Sequence, residues 1–300
     1  MTTHRVSASG RQVLEPYMRQ YSGTVRGSLL LVLADEPDAI HAARVATRRL
    51  RSVLKTYRPL WIGGHSGLRD ELRWYASVLS RPRDLEVVGD WLGALLVQPD
   101  TQGFPGARQA ADELRQRVGL DRADALAAMR HELTGDRFTD LAGSLPPGDW
   151  SPAADVPADL LVAGLAAVPA RAAAAEAAAL PVGADRPVAL HELRKTTKAA
   201  RYAVDALGPS AADQAAAWKK VTETLGVAQD GQVAQAVLDE LSHDAPAHRA
   251  VWDALSARVE EAAREAEISG LELVQVATAM TDASLAGLRA AGTRQLSDER

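Results

Sequence analysis

The chain has 300 residues, of which 47% are hydrophobic, and its formal net charge at pH 7 is −5. That length and apolar content suffice for a large core, in one domain or in two halves of about 150 residues. The absence of cysteine excludes a disulfide framework and cysteine-based zinc or redox sites. Abundant Ala, Leu, Arg and Glu, with only two Phe, predict an all-α fold.

The N-terminal segment, MTTHRVSASGRQVLEPYMRQ, lacks the apolar stretch of a signal peptide. No part of the sequence approaches the ~18 uninterrupted apolar residues that a membrane-spanning helix needs. We therefore expect a cytoplasmic protein without a membrane segment.

The most basic segment is IHAARVATRRLRSVLKTYRPL, from Ile40 to Leu60, with six Arg or Lys and no acid. From Arg44 to Arg83, ten Arg and Lys stand against two acids, so the local balance is +8 and the rest of the chain carries −13. A helix at about 100° per residue places one cationic stripe opposite an apolar face. The stripe consists of His41, Arg44, Arg48, Arg51, Lys55 and Arg58. Asp35 is the predicted N-cap of this helix, with Asp38 in its first turn.

The basic motif occurs twice. HAARVATRRLR from His41 aligns without gaps on HELRKTTKAAR from His191, offset by 150 residues. The second copy predicts a second stripe, containing His191, Arg194, Lys198 and Arg201. In this copy Lys198 and Ala199 replace an arginine pair, so we expect the two halves to be unequal.

A second similarity supports the duplication. LSRPRDLEVV from Leu79 resembles LGVAQDGQVA from Leu225, which makes Asp84 equivalent to Asp230. We read these two acids as helix caps or as residues that orient arginines. The repeated order predicts two halves of about four antiparallel helices, 1–150 and 151–292, within a single domain spanning 1–300. Residues 293–300 are predicted to form a disordered tail.

A charged stripe on a helix is commonly just a solvated face. Another explanation for part of the stripe is a structural network in which its arginines pair with Asp70, Glu71, Asp84 and Glu86. However, like charges at i,i+4 destabilise a helix by a few tenths of a kcal/mol each. This repulsion recurs in both copies, which favours neutralisation by an external polyanion. A bound anion would also favour the charged form of His41 and His191.

The segments HAARVATRRLRSVLKTYRPL and LRWYASVLSRPRDLEVV, with the later LHELRKTTKAARYAVDAL and LGVAQD, resemble the CHAD family, named for the conserved histidine α-helical domain. The resemblance spans nearly the whole chain. It implies two four-helix bundles related by a pseudo-twofold axis, with a central basic cavity that binds inorganic polyphosphate and, in some members, an association with polyphosphate granules. The motif residues it implies are His41, Arg44, Arg48, Arg49 and Arg51 in the first copy and His191, Arg194, Lys195, Lys198 and Arg201 in the second. Alignment of the two repeats adds Arg73 and Lys219 to the predicted polyphosphate-binding residues, and the cationic stripe adds Lys55.

Three functions remain to be weighed. The leading one is a non-catalytic polyphosphate-binding module without cofactor or metal. The second is an RNA-binding protein that uses the same basic helices, which the lack of an aromatic row disfavours. The third is a phosphotransfer or hydrolytic enzyme, which would need an acidic cluster facing the basic groove. The chain also lacks the Glu-x-Glu-x-Lys strand of the triphosphate-tunnel hydrolases to which CHAD domains are often fused.

Overall fold

A computed structural model of the chain describes residues 9–61, 66–145 and 186–298, with helical stretches at 169–172, 174–176 and 178–179. Side chains in the last helix are described as far as residue 284. Most of the Pro-rich stretch from Leu145 to Pro157 lies outside the described residues, as do residues 299–300.

The described residues are almost entirely helical and form no β-strand, which confirms the all-α prediction. The α-helices with described boundaries are α1 Gly10–Leu33, α2 Ala39–Thr56, α3 Ser66–Val78, α4 Ser80–Leu96, α5 Pro99–Gln102, α6 Ala107–Leu133, α7 Arg137–Ser144, α8 Arg186–Asp205, α9 Ala212–Asp244 and α10 Arg249–Asp298. Because α10 continues to Asp298, it occupies most of the segment from residue 293 that the sequence predicts to be a tail.

The start of α2 differs from the sequence prediction. The helix begins after Asp38, whose φ of 59° is left-handed, and no side chain caps it. The prediction that Asp35 is the N-cap is therefore wrong. Asp35 instead accepts two hydrogen bonds from the Arg122 guanidinium, at 2.7 and 2.8 Å. A bidentate charge-assisted pair satisfies this carboxylate better than an N-cap bond, and it ties the α1–α2 connection to α6.

The equivalent segments of the two repeats differ in continuity. The segment that follows the basic helix is broken at Leu79 into α3 and α4 in the first repeat, whereas in the second repeat it is the single helix α9. Pro82 lies in the first turn of α4, where its missing N–H breaks the hydrogen-bond ladder back to α3. Ala228 occupies the equivalent place in α9, so the helix continues there. One proline thus accounts for the difference.

Two hydrophobic cores stabilise the fold. The first combines α1, α2, α3, α7 and α8 with the C-terminal part of α6 and the N-terminal part of α9. The second combines α4, the N-terminal part of α6, the C-terminal part of α9 and the N-terminal part of α10. Tyr75 and Trp218 are fully buried. Each core draws helices from both sequence halves, so neither half buries its apolar faces alone.

Candidate functional site

The two basic helices pack directly against each other. α2 contacts α8, and α4 contacts α9. The Tyr57 hydroxyl, just after α2, donates a buried hydrogen bond to the Ala203 carbonyl of α8 at 2.9 Å. This contact brings together four cationic side chains that interact electrostatically with one another. We call them the central cluster, which consists of Arg44, Arg48, Arg194 and Lys198.

One acid stands beside each half of the central cluster. Arg44 Nη2 lies 3.1 Å from Asp84 Oδ1, and Arg194 Nη2 lies 3.9 Å from Asp230 Oδ1. Asp84 lies within α4 and Asp230 in the middle of α9, so neither is a helix cap. Burial raises the pKa of Asp230, while Arg194 and Lys198 oppose that rise. Of the two alternatives that the sequence left open, the structure supports arginine orientation.

The other two cations of the central cluster, Arg48 and Lys198, occupy equivalent positions in the repeats. Neither makes a hydrogen bond or ion pair with any residue that the structure describes, and Arg48 Nε is buried without a partner. Burial lowers the pKa of Lys198 to about 7, and the charges of Arg194 and Arg48 contribute to this shift. Like charges repel more strongly where solvent is excluded. The fold therefore holds two cations that form no ion pair with a described carboxylate, and Asp230 offsets only part of their mutual repulsion.

The two motif histidines have different surroundings. Burial lowers the pKa of His41, and the nearby cations Arg83 and Arg48 lower it further. His191 Nδ1 instead shares a hydrogen bond with Gln229 Oε1 at 3.2 Å. Arg83 and Gln229 are equivalent in the repeat alignment, so the substitution of one by the other makes the two histidine sites unequal.

The basic surface continues onto α3. Burial lowers the pKa of Arg51, and so do the neighbouring charges of Arg73 and Arg69. Arg73 also pairs with Asp70 at 2.7 Å, but both side chains are exposed. Sequence reasoning missed Arg69 and Arg83 as members of this surface. The i,i+4 spacing to Arg73 was a usable signal for Arg69, whereas Arg83 has no basic equivalent in the second copy.

Two predicted site residues lie in a separate, neutralised cluster. Arg49 Nη1 is 3.0 Å from Asp205 Oδ2, and the Arg49 guanidinium lies over the rings of Tyr21 and Tyr202 at 4.9 and 5.4 Å. Arg201 donates to Thr222 Oγ1 at 2.8 Å, and its Nε is 3.8 Å from Asp205 Oδ2. Asp205 thus serves both arginines. The structure gives Arg49 and Arg201 partners that Arg48 and Lys198 do not have.

The remaining predicted lysines are on the surface. Lys195 pairs with Glu192 at 2.7 Å and Lys219 with Glu223 at 3.3 Å, in both cases with more than half of each side chain exposed. Lys55 is exposed near Glu192. Exposed pairs of this kind contribute little to stability. These lysines lie outside the central cluster.

Within the described part of the chain, no helix is long and apolar enough to cross a membrane. The fold and site define an all-α protein in which two repeated basic helices meet at a partly buried cationic cluster. The CHAD domain model matches residues 17–239. The chain therefore belongs to the CHAD family, as the sequence motifs indicate.

The chain is also similar to other proteins and to solved structures. The uncharacterized proteins MT2285 and Rv2226, from two strains of Mycobacterium tuberculosis, are each 30% identical over 230 residues. The match covers 74% of this chain but 44% of either relative, so the chain spans less than half of their length. PptA from Streptomyces chartreusis superimposes with a TM-score of 0.73 at 23% identity, over 90% of this chain and 100% of that one. The CHAD domain from the plant Ricinus communis gives a TM-score of 0.58 at 20% identity, over 89% of this chain and 92% of that one. At these identities, the structural matches establish the shared fold.

Proposed function

We propose that this protein binds inorganic polyphosphate through the central cluster and does not act on it chemically. The observation that carries the proposal is the pairing of Arg48 and Lys198, two partly buried cations on adjoining helices without a carboxylate partner in the described structure. Buried charge of one sign is unfavourable unless something compensates it. A polyanion that binds over the central cluster, where α2 and α8 meet, supplies that compensation.

The guanidinium groups are suited to a chain of phosphates. Asp84 engages one nitrogen of Arg44, while Arg44 Nη1 and Arg194 Nε are buried without a hydrogen-bond partner. These donors have no partner within the described protein, and a guanidinium can bind phosphate bidentately. Lys198 adds a compact charge. Arg51, on the α3 side, extends the basic surface so that successive phosphates of a linear chain have further contacts.

The acids beside the cluster favour binding over hydrolysis. Asp84 faces Arg44 and Asp230 faces Arg194, so each carboxylate holds an arginine in place. Hydrolysis would need a general base, here a carboxylate free to accept a proton from water. We therefore propose a binding module without metal or cofactor, which in a cytoplasmic setting would target the protein to polyphosphate granules.

RNA is the second candidate, and the aromatic residues near the basic helices weigh against it. Tyr17, Tyr21 and Tyr202 all lie against the Arg49 guanidinium. Side chains held this way do not form a platform for stacking bases, which supplies much of single-strand binding. Polyphosphate has no bases to stack, so its binding requires cationic side chains alone.

Titration of the protein with long-chain polyphosphate, with and without RNA of equal total charge, tests the proposal. We expect tight polyphosphate binding that weakens steeply with salt, at roughly 0.7 log units of affinity per log unit of salt for each phosphate neutralised, by analogy with single strands. RNA should displace the ligand poorly at physiological salt. Equal displacement by RNA would favour nucleic-acid binding, and no binding of either would refute the proposal.

Arg49 provides a contrasting prediction. Arg49→Met should lower the free energy of unfolding by about 3 kcal/mol, because it leaves the partly buried Asp205 with weaker neutralisation. Polyphosphate affinity should change little. Denaturant unfolding and the same titration measure the two effects, with the neighbouring Arg48→Met as the matched control. If Arg49→Met reduces affinity as much as Arg48→Met, Arg49 belongs to the binding site after all.

A further inference from the structure

A cleft opens beside the central cluster, between α8, α9 and α10. Its volume is about 480 Å³, within the ~300–1,000 Å³ range of small-molecule sites. Its walls are mainly apolar, and Ile268 at its edge leaves 56% of its surface exposed. The apolar lining residues are Leu190, Leu225, Ala228, Ala263 and Ile268.

The cleft and the central cluster share residues. Arg194 lines the cleft and is also one of the four cations of the cluster, and His191 lies one helical turn before it. Arg194 Nε is buried without a hydrogen-bond partner. A ligand in the cleft would therefore meet cationic side chains at one end and apolar walls along its body.

Besides His191 and Arg194, the cleft lining includes the ion pair of Arg186 with Glu267 and four further polar side chains. Gln229 Nε2 donates to Gln232 Oε1 at 3.2 Å, which leaves the Gln232 amide nitrogen as a free donor. Glu260 and Arg264 line the same cleft and make no hydrogen bond or ion pair with residues that the structure describes. A purely aliphatic ligand would leave these groups unused, whereas a ring bearing donors and acceptors would engage them.

We infer that the cleft binds the nucleoside of a nucleoside triphosphate whose phosphates lie on the central cluster. The inference rests on the proposed phosphate binding and extends it to a second ligand class. The apolar walls contact the faces of the base, and the Gln232 amide bonds its edge. Glu260 accepts hydrogen bonds from the ribose hydroxyls, and the phosphates extend past Arg194 toward Arg48 and Lys198.

Calorimetric titrations of the wild-type protein with ATP and with tripolyphosphate, both without divalent cations, test this inference. Tripolyphosphate carries at least as much negative charge as ATP, so electrostatics alone predicts that it binds as tightly or more tightly. We expect ATP to bind at least about tenfold more tightly, because the cleft contributes to ATP binding alone.

A cleft-filling variant locates the effect. Ala228→Phe should reduce ATP affinity to the level of tripolyphosphate and leave tripolyphosphate binding unchanged. Val227→Phe is the matched control, since Val227 is exposed on the same helix and does not line the cleft. It adds the same ring and should change neither titration.

The outcomes separate this inference from the proposed function. If tripolyphosphate binds and ATP binds no better, the cleft inference is refuted while phosphate binding stands. If neither tripolyphosphate nor long-chain polyphosphate binds, the proposed function itself fails.

Photo-crosslinking of the wild-type protein with 8-azido-ATP gives a test that is independent of the variants. Crosslinks to α10 between Glu260 and Ile268, mapped by mass spectrometry, support the inference, and crosslinks confined to other helices contradict it.

Discussion

Replacing Arg48 and Lys198 together by methionine should abolish tight polyphosphate binding and at the same time stabilise the fold. Both cations are partly buried and form no ion pair with a described residue, and neighbouring cations repel them, so methionine of similar length removes repulsion and keeps the packing. Replacing buried charges by apolar residues commonly stabilises a protein by about 1–4 kcal/mol. Losing two charge-assisted contacts to phosphate should weaken binding by about 3–6 kcal/mol, which is at least about a hundredfold in Kd.

The measurements are denaturant unfolding of the free protein and titration with long-chain polyphosphate. Lys195→Met combined with Lys219→Met is the matched control, because it removes two positive charges from exposed ion pairs. We expect the control to change stability and affinity only slightly. A stabilised variant that keeps its affinity would show that the central cluster does not hold the ligand. A destabilised variant that keeps its affinity would point to a structural role for these cations.

The affinity for long-chain polyphosphate should fall as the pH rises above about 7. In the free protein burial lowers the pKa of Lys198 to about 7, so the amine loses its charge over this range. Bound phosphate stabilises the ammonium form and raises its pKa, so binding above pH 7 takes up a proton. The affinity then decreases by at most about one log unit per pH unit. The titratable and charged groups that face Lys198 are Arg194 on its own helix, Arg44 and Arg48 on α2, and Asp230 on α9.

Stability should respond to pH in the opposite direction. Unfolded Lys198 returns toward its ordinary pKa of 10.5, so the unfolded state binds more protons than the folded state above pH 7. The free energy of unfolding therefore rises with pH between about 7 and the unfolded pKa. Below pH 7 both states are protonated, and the full penalty of the buried charge is present.

Lys198→Arg separates this residue from the other groups, because arginine stays charged throughout the range. The variant should bind polyphosphate with little dependence on pH between 7 and 9. His41 is no competing explanation in this range, because its pKa lies below the ordinary value of 6.5. Calorimetry in buffers of different ionisation enthalpy measures the proton uptake directly. An unchanged pH profile in Lys198→Arg would assign the titration to another group.

Local sequence patterns predicted several features correctly. Composition and helical periodicity predicted the all-α fold and the apolar faces of α2 and α8, because both depend on residues a few positions apart. The repeat and the family motif identified all four residues that form the central cluster. Alignment of Asp84 with Asp230 also predicted two equivalent acids that either cap helices or orient arginines, and the structure places them beside Arg44 and Arg194.

Other features depended on contacts between distant segments. Arg48 and Arg49 are adjacent in the motif, yet Asp205 pairs with Arg49 and three tyrosines cover it, while Arg48 forms no ion pair with a described residue. Likewise, the predicted cap Asp35 binds Arg122 of α6 instead. Nothing within either local motif distinguishes these alternatives.

The sequence by itself determined which helices are basic, on which face, and to which family the chain belongs. Only the tertiary structure decided which cations form no ion pair, how far the pKa of Lys198 falls, and where the cleft beside Arg194 lies. The physical reason is the separation along the chain over which each effect acts. Helix formation and amphipathicity depend on neighbours within one or two turns, whereas burial and neutralisation of a charge depend on side chains that other helices bring to it.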